Sequence, residues 1–306
     1  GKKMLGTRLI ACLVVKNGIA VQSIGFSKYL PVCRVEIAVE YLSRWGIDEI
    51  VIVDIDASRA GRSFDLEMAQ AAAGAGFVPL TLGGGIKSVA EIRMLLKQGA
   101  DKICLNNSAR LNPGLISEAA KVFGSQCIVV SIDATFVDGE YKVYDYSLGR
   151  EIETNVLDFA KECEKLGAGE IFLNSVANDG LKQGFDLDLI NLVCKAVSIP
   201  VIVIGGAGHP SHFLDVLKQA KASGVAAGNY FHFFEHSVIA TKNYLRKNLA
   251  VKDLVDPNIK GKESIIRPNS YVDYKGISFD EMGRPAKKDE DFLESQRFEF
   301  HPEEII

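Results

Sequence analysis

No apolar run in this sequence reaches the roughly 18–20 residues that a helix needs to span a bilayer, so insertion into a membrane is not expected. The opening Gly1-Lys2-Lys3-Met4 leads straight into a short strand-like stretch, without the longer apolar region of a secretory leader. Cysteine is sparse, and none of Cys12, Cys33, Cys104, Cys127, Cys163 and Cys194 forms a C-x-x-C pair, which removes the common zinc and redox motifs. Cys12, Cys104 and Cys127 fall inside apolar runs, where a thiol behaves as a small hydrophobe. Reduced cysteines in a cytoplasmic protein are therefore expected. A large charge excess is also lacking. Lys and Arg number 35 against 39 Asp and Glu, for a net charge of -4. The basic residues are scattered, with no aromatic-interleaved stripe, which argues against nucleic acid and anionic membranes as partners. No Ser/His or Cys/His nucleophile–base pair stands out. His232 and His236 share i, i+4 spacing, but the glutamate that follows the first histidine of a zincin is absent. These two, with His209 and His212, are expected to be core or surface residues, with no metal and no cofactor.

Repetition is what the sequence does contain. Short apolar runs recur at residues 8–15, 49–56, 78–86, 102–108, 127–134, 170–176, 201–207 and 224–229. They read as near-continuous Val- and Ile-rich segments, the pattern of parallel strands buried on both faces. Amphipathic stretches such as 88–98, 155–166 and 187–197 lie between them. Alternation repeated eight times predicts a (β/α)8 TIM barrel, although periodicity alone also allows an open doubly wound sheet. With 47% hydrophobic residues in 306, the chain can fill a barrel of about 250 residues. The barrel is assigned to residues 1–253. Residues 254–306 change character, with Pro257, Pro268, Pro285 and Pro302 but also Tyr271, Tyr274, Phe279, Phe292, Phe298 and Phe300. So many aromatics are unusual for pure disorder, and an extended arm packed on the barrel or on a partner is expected.

The two halves echo each other. Gly83-Gly84-Gly85 ends the third run, and Gly205-Gly206-Ala207-Gly208 ends the seventh. Asp54 ends the second, and Asn178-Asp179-Gly180 follows the sixth. Two similar half-barrels place equivalent sites at one end of the barrel. Glycine clusters there let backbone N–H groups approach an anion. One cluster alone reads as a tight βα turn; two, half a barrel apart, point to a ligand with two phosphates.

Four segments carry a family resemblance: Arg8-Leu9-Ile10-Ala11-Cys12-Leu13, Thr81-Leu82-Gly83-Gly84-Gly85-Ile86, Val130-Ser131-Ile132-Asp133-Ala134 and Gly167-Ala168-Gly169-Glu170-Ile171. Together with residues 178–184 and 205–208, they resemble the cyclase subunit of imidazole glycerol phosphate synthase, in order over roughly residues 4–248. The resemblance implies a heterodimer with a glutaminase whose ammonia crosses the barrel to a phosphorylated small-molecule substrate. It implies two catalytic aspartates, on the first and fifth strands. The fifth-strand one falls on Asp133; the first-strand one falls on Val14. A valine neither accepts nor donates a proton, and positioned proton transfer contributes about a hundredfold to ten-thousandfold in rate. Lys16 shares strand parity with Val14, but an ammonium is a poor stand-in for a carboxylate base. Asp133 also has a bland alternative as a structural residue bonded to strand-end backbone.

The implied phosphate positions fall on Gly85, Asn106 and Asn107 on one side, and on Asp179, Gly180, Gly206, Ala227 and Gly228 on the other. Asn107, Gly228 and Leu181 stand where the family has hydroxyl residues. Arg8, Glu49, Lys102 and Glu170 match the family's salt-bridged ammonia gate at the N-terminal strand ends, while Asp101 matches a residue of the glutaminase interface. From charge alone, the four read equally as a static plug, since buried charges need partners. A retained gate with a broken acid/base pair leads to a synthase subunit that takes ammonia from a glutaminase for amination or amidination of bacterial surface sugars, with a further amidotransferase as user. A true cyclase of histidine biosynthesis and a non-catalytic scaffold of the glutaminase are the alternatives.

Overall fold

The structure is a computed structural model and describes residues 7–24, 28–232 and 237–248. The arm expected at 254–306, together with His236, lies outside the described residues. The first half runs through β1 (Arg8–Lys16), β2 (Ile19–Ile24), β3 (Lys28–Cys33), α1 (Val35–Arg44), β4 (Glu49–Asp54), α2 (Ile55–Arg59) and α3 (Leu66–Ala75). It continues with β5 (Leu80–Gly83), α4 (Val89–Lys97), β6 (Lys102–Leu105), α5 (Asn107–Leu111) and α6 (Gly114–Phe123). The second half runs through β7 (Ile128–Val137), β8 (Glu140–Asp145), β9 (Arg150–Asn155), α7 (Val156–Leu166), β10 (Glu170–Ser175) and α8 (Leu187–Ala196). It ends with β11 (Val201–Ile204), α9 (Pro210–Gln219), β12 (Gly224–Ala227) and α10 (Ser237–Asn248).

Parallel pairing runs β1–β4–β5–β6–β7–β10–β11–β12 and closes when β12 pairs with β1, Arg8 opposite Gly224. That closure decides for the barrel over the open sheet. The barrel strands pack two ways because side chains alternate in and out. Outward residues such as Leu9, Leu13, Ile50, Ile52 and Leu82 meet the helices in the main core. Inward residues Ile10, Cys12, Val51, Cys104, Val129, Phe172, Ile202 and Ala226 form a separate inner cluster.

Helix ends follow local chemistry. Ser88 starts α4 with a capping box to Glu91. Asn155 caps α7, and Gly167 ends it in the left-handed conformation. The last helix is fastened at depth: buried Lys242 of α10 donates to Asp48 Oδ1 at 3.0 Å, while Asp48 Oδ2 accepts from the Leu9 backbone N–H at 2.7 Å.

Two hairpins go beyond the simple alternation read from the sequence. β2 and β3 extend β1, while β8 and β9 extend β7. Their first turns, Asn17-Gly18 and Asp138-Gly139, hold all four residues at φ between +52° and +85°. That is the turn Asn-Gly and Asp-Gly favour in two-residue hairpins, so the signal was present in the sequence. Most barrel strands also stop earlier than their apolar runs. β4 ends at Asp54 because Asp54 caps α2, accepting from the Asp56 and Ala57 backbone N–H groups.

Candidate functional site

Inward side chains make three layers. At the N-terminal strand ends, Arg8 donates to Glu49 and to Glu170, both at 2.7 Å. Lys102 reaches the same two carboxylates at 3.4 and 3.3 Å. Two cations and two anions thus alternate in a closed, neutral ring. Burial works against the Arg8 charge, but Glu170 and Glu49 outweigh it and hold its pKa above the usual value. Above the ring sits the apolar inner cluster with its two thiols. Burial raises the Cys12 pKa to about 12, so the thiol stays protonated.

The third layer lies at the C-terminal strand ends, where barrel active sites form. One side is apolar: Val14 of β1 stands opposite Val53 of β4, and Ile204 of β11 is partly buried over the inner cluster. The other side is polar and centred on Asp133 of β7, which is 7% exposed. Asn106 donates to its Oδ2 at 3.0 Å, and Asn174 to its Oδ1 at 3.1 Å. Asn174 also donates to the Tyr146 hydroxyl at 3.4 Å. Burial pushes the Asp133 pKa up, the two carboxamides oppose it, and Asp145 adds to the rise. Asp179, in the loop after β10, is raised to about 6 by burial and then by Asp133, against a backbone N–H from Gly180.

Lys16 does not enter this layer. Its ammonium is 3.3 Å from Asp56 and lies over the Tyr29 ring. Tyr146 is placed by its neighbours. Asp145 accepts from the Ser147 backbone N–H at 2.8 Å and pairs with Arg110 of α5. Serine and backbone donors and Arg110 overcome burial and hold the Asp145 carboxyl below its usual range. The turn carrying Tyr146 is thereby tied to the helix that follows Asn106.

Two glycine cradles face each other across the rim. Gly85, after β5, has φ +68°, and a Cβ there would sit 2.1 Å from the Arg62 carbonyl oxygen. Gly206, after β11, has φ +119°, and its Cβ would sit 1.9 Å from the Gly184 carbonyl oxygen. No side chain fits either place, which matches a half-barrel repeat. Gly85 and Asn107 follow neighbouring strands β5 and β6. Gly180, Gly206, Ala227 and Gly228 gather at β10, β11 and β12, on the opposite side. Asn106, expected with the first group, directs its amide nitrogen at Asp133 and Ser131. Arg62, beside the Gly85 cradle and paired with Asp54 at 2.8 Å, was not anticipated. Nor were Asn174 and Tyr146, since no motif marks them.

The remaining candidates resolve simply. Asp101 is exposed at the ring end and ties β5 by accepting from the Leu80 N–H at 2.8 Å. His232 is half-buried, lies 3.0 Å from the Tyr41 hydroxyl through Nδ1, and has a pKa lowered to about 4 by desolvation. His209 caps α9, and His212 accepts from the Gly208 N–H. Among the described residues, no group of three His, Cys, Asp or Glu side chains is arranged to hold a metal. Among them, no helix is long and apolar enough to cross a membrane.

Fold and site together define a (β/α)8 barrel with a charged ring at one mouth and an acidic, glycine-rimmed layer at the other. The chain belongs to the histidine biosynthesis protein family, whose model matches residues 8–237, and within it to the HisF-like proteins. It is 44% identical over 247 residues to the imidazole glycerol phosphate synthase subunit HisF of Geobacillus thermodenitrificans (strain NG80-2), covering 80% of this chain and 98% of that protein. It is 44% identical over 248 residues to the HisF subunit of Hydrogenobaculum sp. (strain Y04AAS1), with 80% and 98% covered. A Vibrio vulnificus (strain YJ016) protein provisionally named imidazole glycerol phosphate synthase subunit hisF2 is 42% identical over 282 residues, covering 92% of this chain and 98% of that protein. A match of that length extends past residue 253 into the C-terminal segment; the two HisF matches leave a fifth of the chain uncovered.

Proposed function

We propose that this chain is a synthase subunit that receives ammonia from a glutaminase docked at the Arg8–Glu49–Lys102–Glu170 mouth. It delivers the ammonia to the Asp133 pocket, in a pathway other than histidine synthesis. The observation that carries this reading is the pairing of a complete charged ring with Val14 beside Val53 where a second proton-transfer group is needed. The ring closes the mouth as it stands, so passage requires one of its four ion pairs to open. A surface cavity of about 190 Å³ beside this mouth, lined by Val39, Ile50, Ala72, Gly76, Phe77 and Asp101, favours a docked partner. Phe77 stands 59% exposed there. The two glycine cradles suit a phosphorylated ligand. Amination or amidination of a bacterial surface sugar is the process we assign, with a separate amidotransferase as a further user of the ammonia. The length of the match to the hisF2 protein supports a branch apart from the HisF subunits.

The test is co-purification with candidate glutaminases and an assay of glutamine hydrolysis. Stimulation that is lost in Asp101→Lys is expected; no binding and no stimulation by any of them sinks the reading. The names of the HisF relatives favour a second reading, a true cyclase. It requires the chain to restore growth of a histidine auxotroph lacking that subunit.

A further inference from the structure

The polar half of the upper layer has an unusual balance of donors and acceptors. Asn174 donates from its amide nitrogen both to Asp133 Oδ1 and to the Tyr146 hydroxyl. Its carbonyl oxygen is buried and has no hydrogen-bond partner among the described residues. A buried acceptor left in that state keeps its desolvation cost without the hydrogen bond that would offset it. Gly205 is what leaves room for it: a Cβ at that position would lie 2.9 Å from Asn174 Oδ1.

The charge balance is equally one-sided. Asp133 faces Cys104 from β6 and Asn106 just after it, Cys12 from β1, Asn174 from β10, Asp145 at the end of β8 and Tyr146 in the turn that follows, and Asp179 from the loop after β10. None of these is a cation. Asp145 has its own cation in Arg110, whereas neither Asp133 nor Asp179 enters an ion pair among the described residues. A buried carboxylate, a second one nearby and an unfilled carbonyl oxygen share a single need: a small cationic N–H donor.

We propose that Asp133, Asn174 and Tyr146 form a cradle for ammonium or for the protonated primary amine of a ligand. The Asn174 carbonyl oxygen accepts one N–H, the Asp133 carboxylate supplies the counter-charge and accepts a second, and the Tyr146 hydroxyl borders the third direction. Asn106 and Asn174 fix the carboxylate, and the Arg110–Asp145 pair fixes the turn bearing Tyr146. The cradle lies above the apolar inner cluster, on the barrel axis from the charged ring. This deepens the proposed function, on which the assignment of ammonium as the physiological occupant rests.

The experiment titrates ammonium chloride into the full chain at constant ionic strength made up with sodium chloride, reading the side-chain amide resonances of Asn106. That group bonds Asp133 and is retained in every variant. A saturable shift with Kd on the order of 1–10 mM is expected. It should weaken at least tenfold in Asn174→Leu and in Asp133→Asn, and severalfold in Tyr146→Phe. Asn174→Asp, which adds a second carboxylate, should tighten it. Circular dichroism checks that each variant is folded, and the conservative Tyr146→Phe and Asn174→Asp keep the test decisive if Asn174→Leu does not fold. Methylammonium separates the sources: a response to ammonium alone assigns free ammonia, and an equal response to methylammonium assigns a ligand amine. No saturable shift, or an equal response to potassium, overturns the cradle. Because the titration uses no glutaminase, its failure is distinct from failure of the glutaminase assay.

Discussion

The two mouths of the barrel hold similar side chains under opposite conditions. At the N-terminal mouth, Glu49 and Glu170 are buried, yet each is paired with both Arg8 and Lys102. At the C-terminal mouth, Asp133 is as deeply buried but is held only by neutral carboxamides, with Asp179 adding negative charge nearby. Burial alone does not set the behaviour of these groups; the presence of a fixed cation does. Where the cations are built in, the charges close a structure. Where they are absent, the carboxylates are poised to titrate and to take a cation from solution, the condition expected of a working pocket.

Charge removal should therefore act differently at the two ends. The largest effect is expected from Arg8→Met, which leaves two buried carboxylates to share Lys102. A loss of about 3–5 kcal/mol is expected, read from the urea midpoint. Replacing all four ring residues by apolar ones of similar volume should restore most of it, whereas a stable four-residue variant that still passes ammonia would break the comparison. Next comes Arg110→Met, which strips Asp145 of its cation. A loss of about 2 kcal/mol is expected, with faster hydrogen exchange at residues 146–148 than elsewhere in the hairpin.

A gain is expected from Asp179→Asn. The folded-state pKa of Asp179, about 6, lies above the roughly 3.9 of an unfolded aspartate. Below pH 4 both states hold the proton, and the contribution to stability is complete. As pH rises through 6 the native state must ionise in its buried place, and that contribution is lost. Asp179→Asn should thus be more stable than the parent by on the order of 1 kcal/mol at pH 7–8, after allowance for solvent screening. The difference should vanish near pH 4, as checked by thermal melts across that range. The smallest effect is expected from Lys16→Met. Its ammonium belongs to Asp56, so the Asp133 titration followed by carboxyl carbon resonances should not move. A clear rise in that pKa would place Lys16 at the site after all.

Much of this was legible in the residues. Val- and Ile-rich runs reveal the strands because parallel strands are buried on both faces. Ser88 with Glu91 and Asn155 mark helix starts because capping is local. The glycines at 85 and 206 stand out because no other residue fits where they lie. Asp133 and the four ring charges were found through family motifs. Asn174 and Tyr146 were not, because their roles depend on neighbours 28 or more residues away in sequence. Asp138-Gly139 signalled the turn from β7 into β8, but the β8–β9 turn that brings Tyr146 in lay hidden inside one repeat unit.

By itself the sequence determined the alternation, the helix caps, the glycine cradles and the absence of a carboxylate at position 14. These are properties of one residue or of a few in succession, set by backbone sterics and side-chain period. The tertiary structure decided that the sheet closes, that Arg8, Glu49, Lys102 and Glu170 meet in a ring, and that Lys16 turns away to Asp56. It also decided that Asn174 turns its amide nitrogen to Asp133 and leaves its carbonyl oxygen buried without a partner among the described residues. Those outcomes depend on which strands become neighbours around the barrel, and electrostatic balance depends on distance in space rather than along the chain.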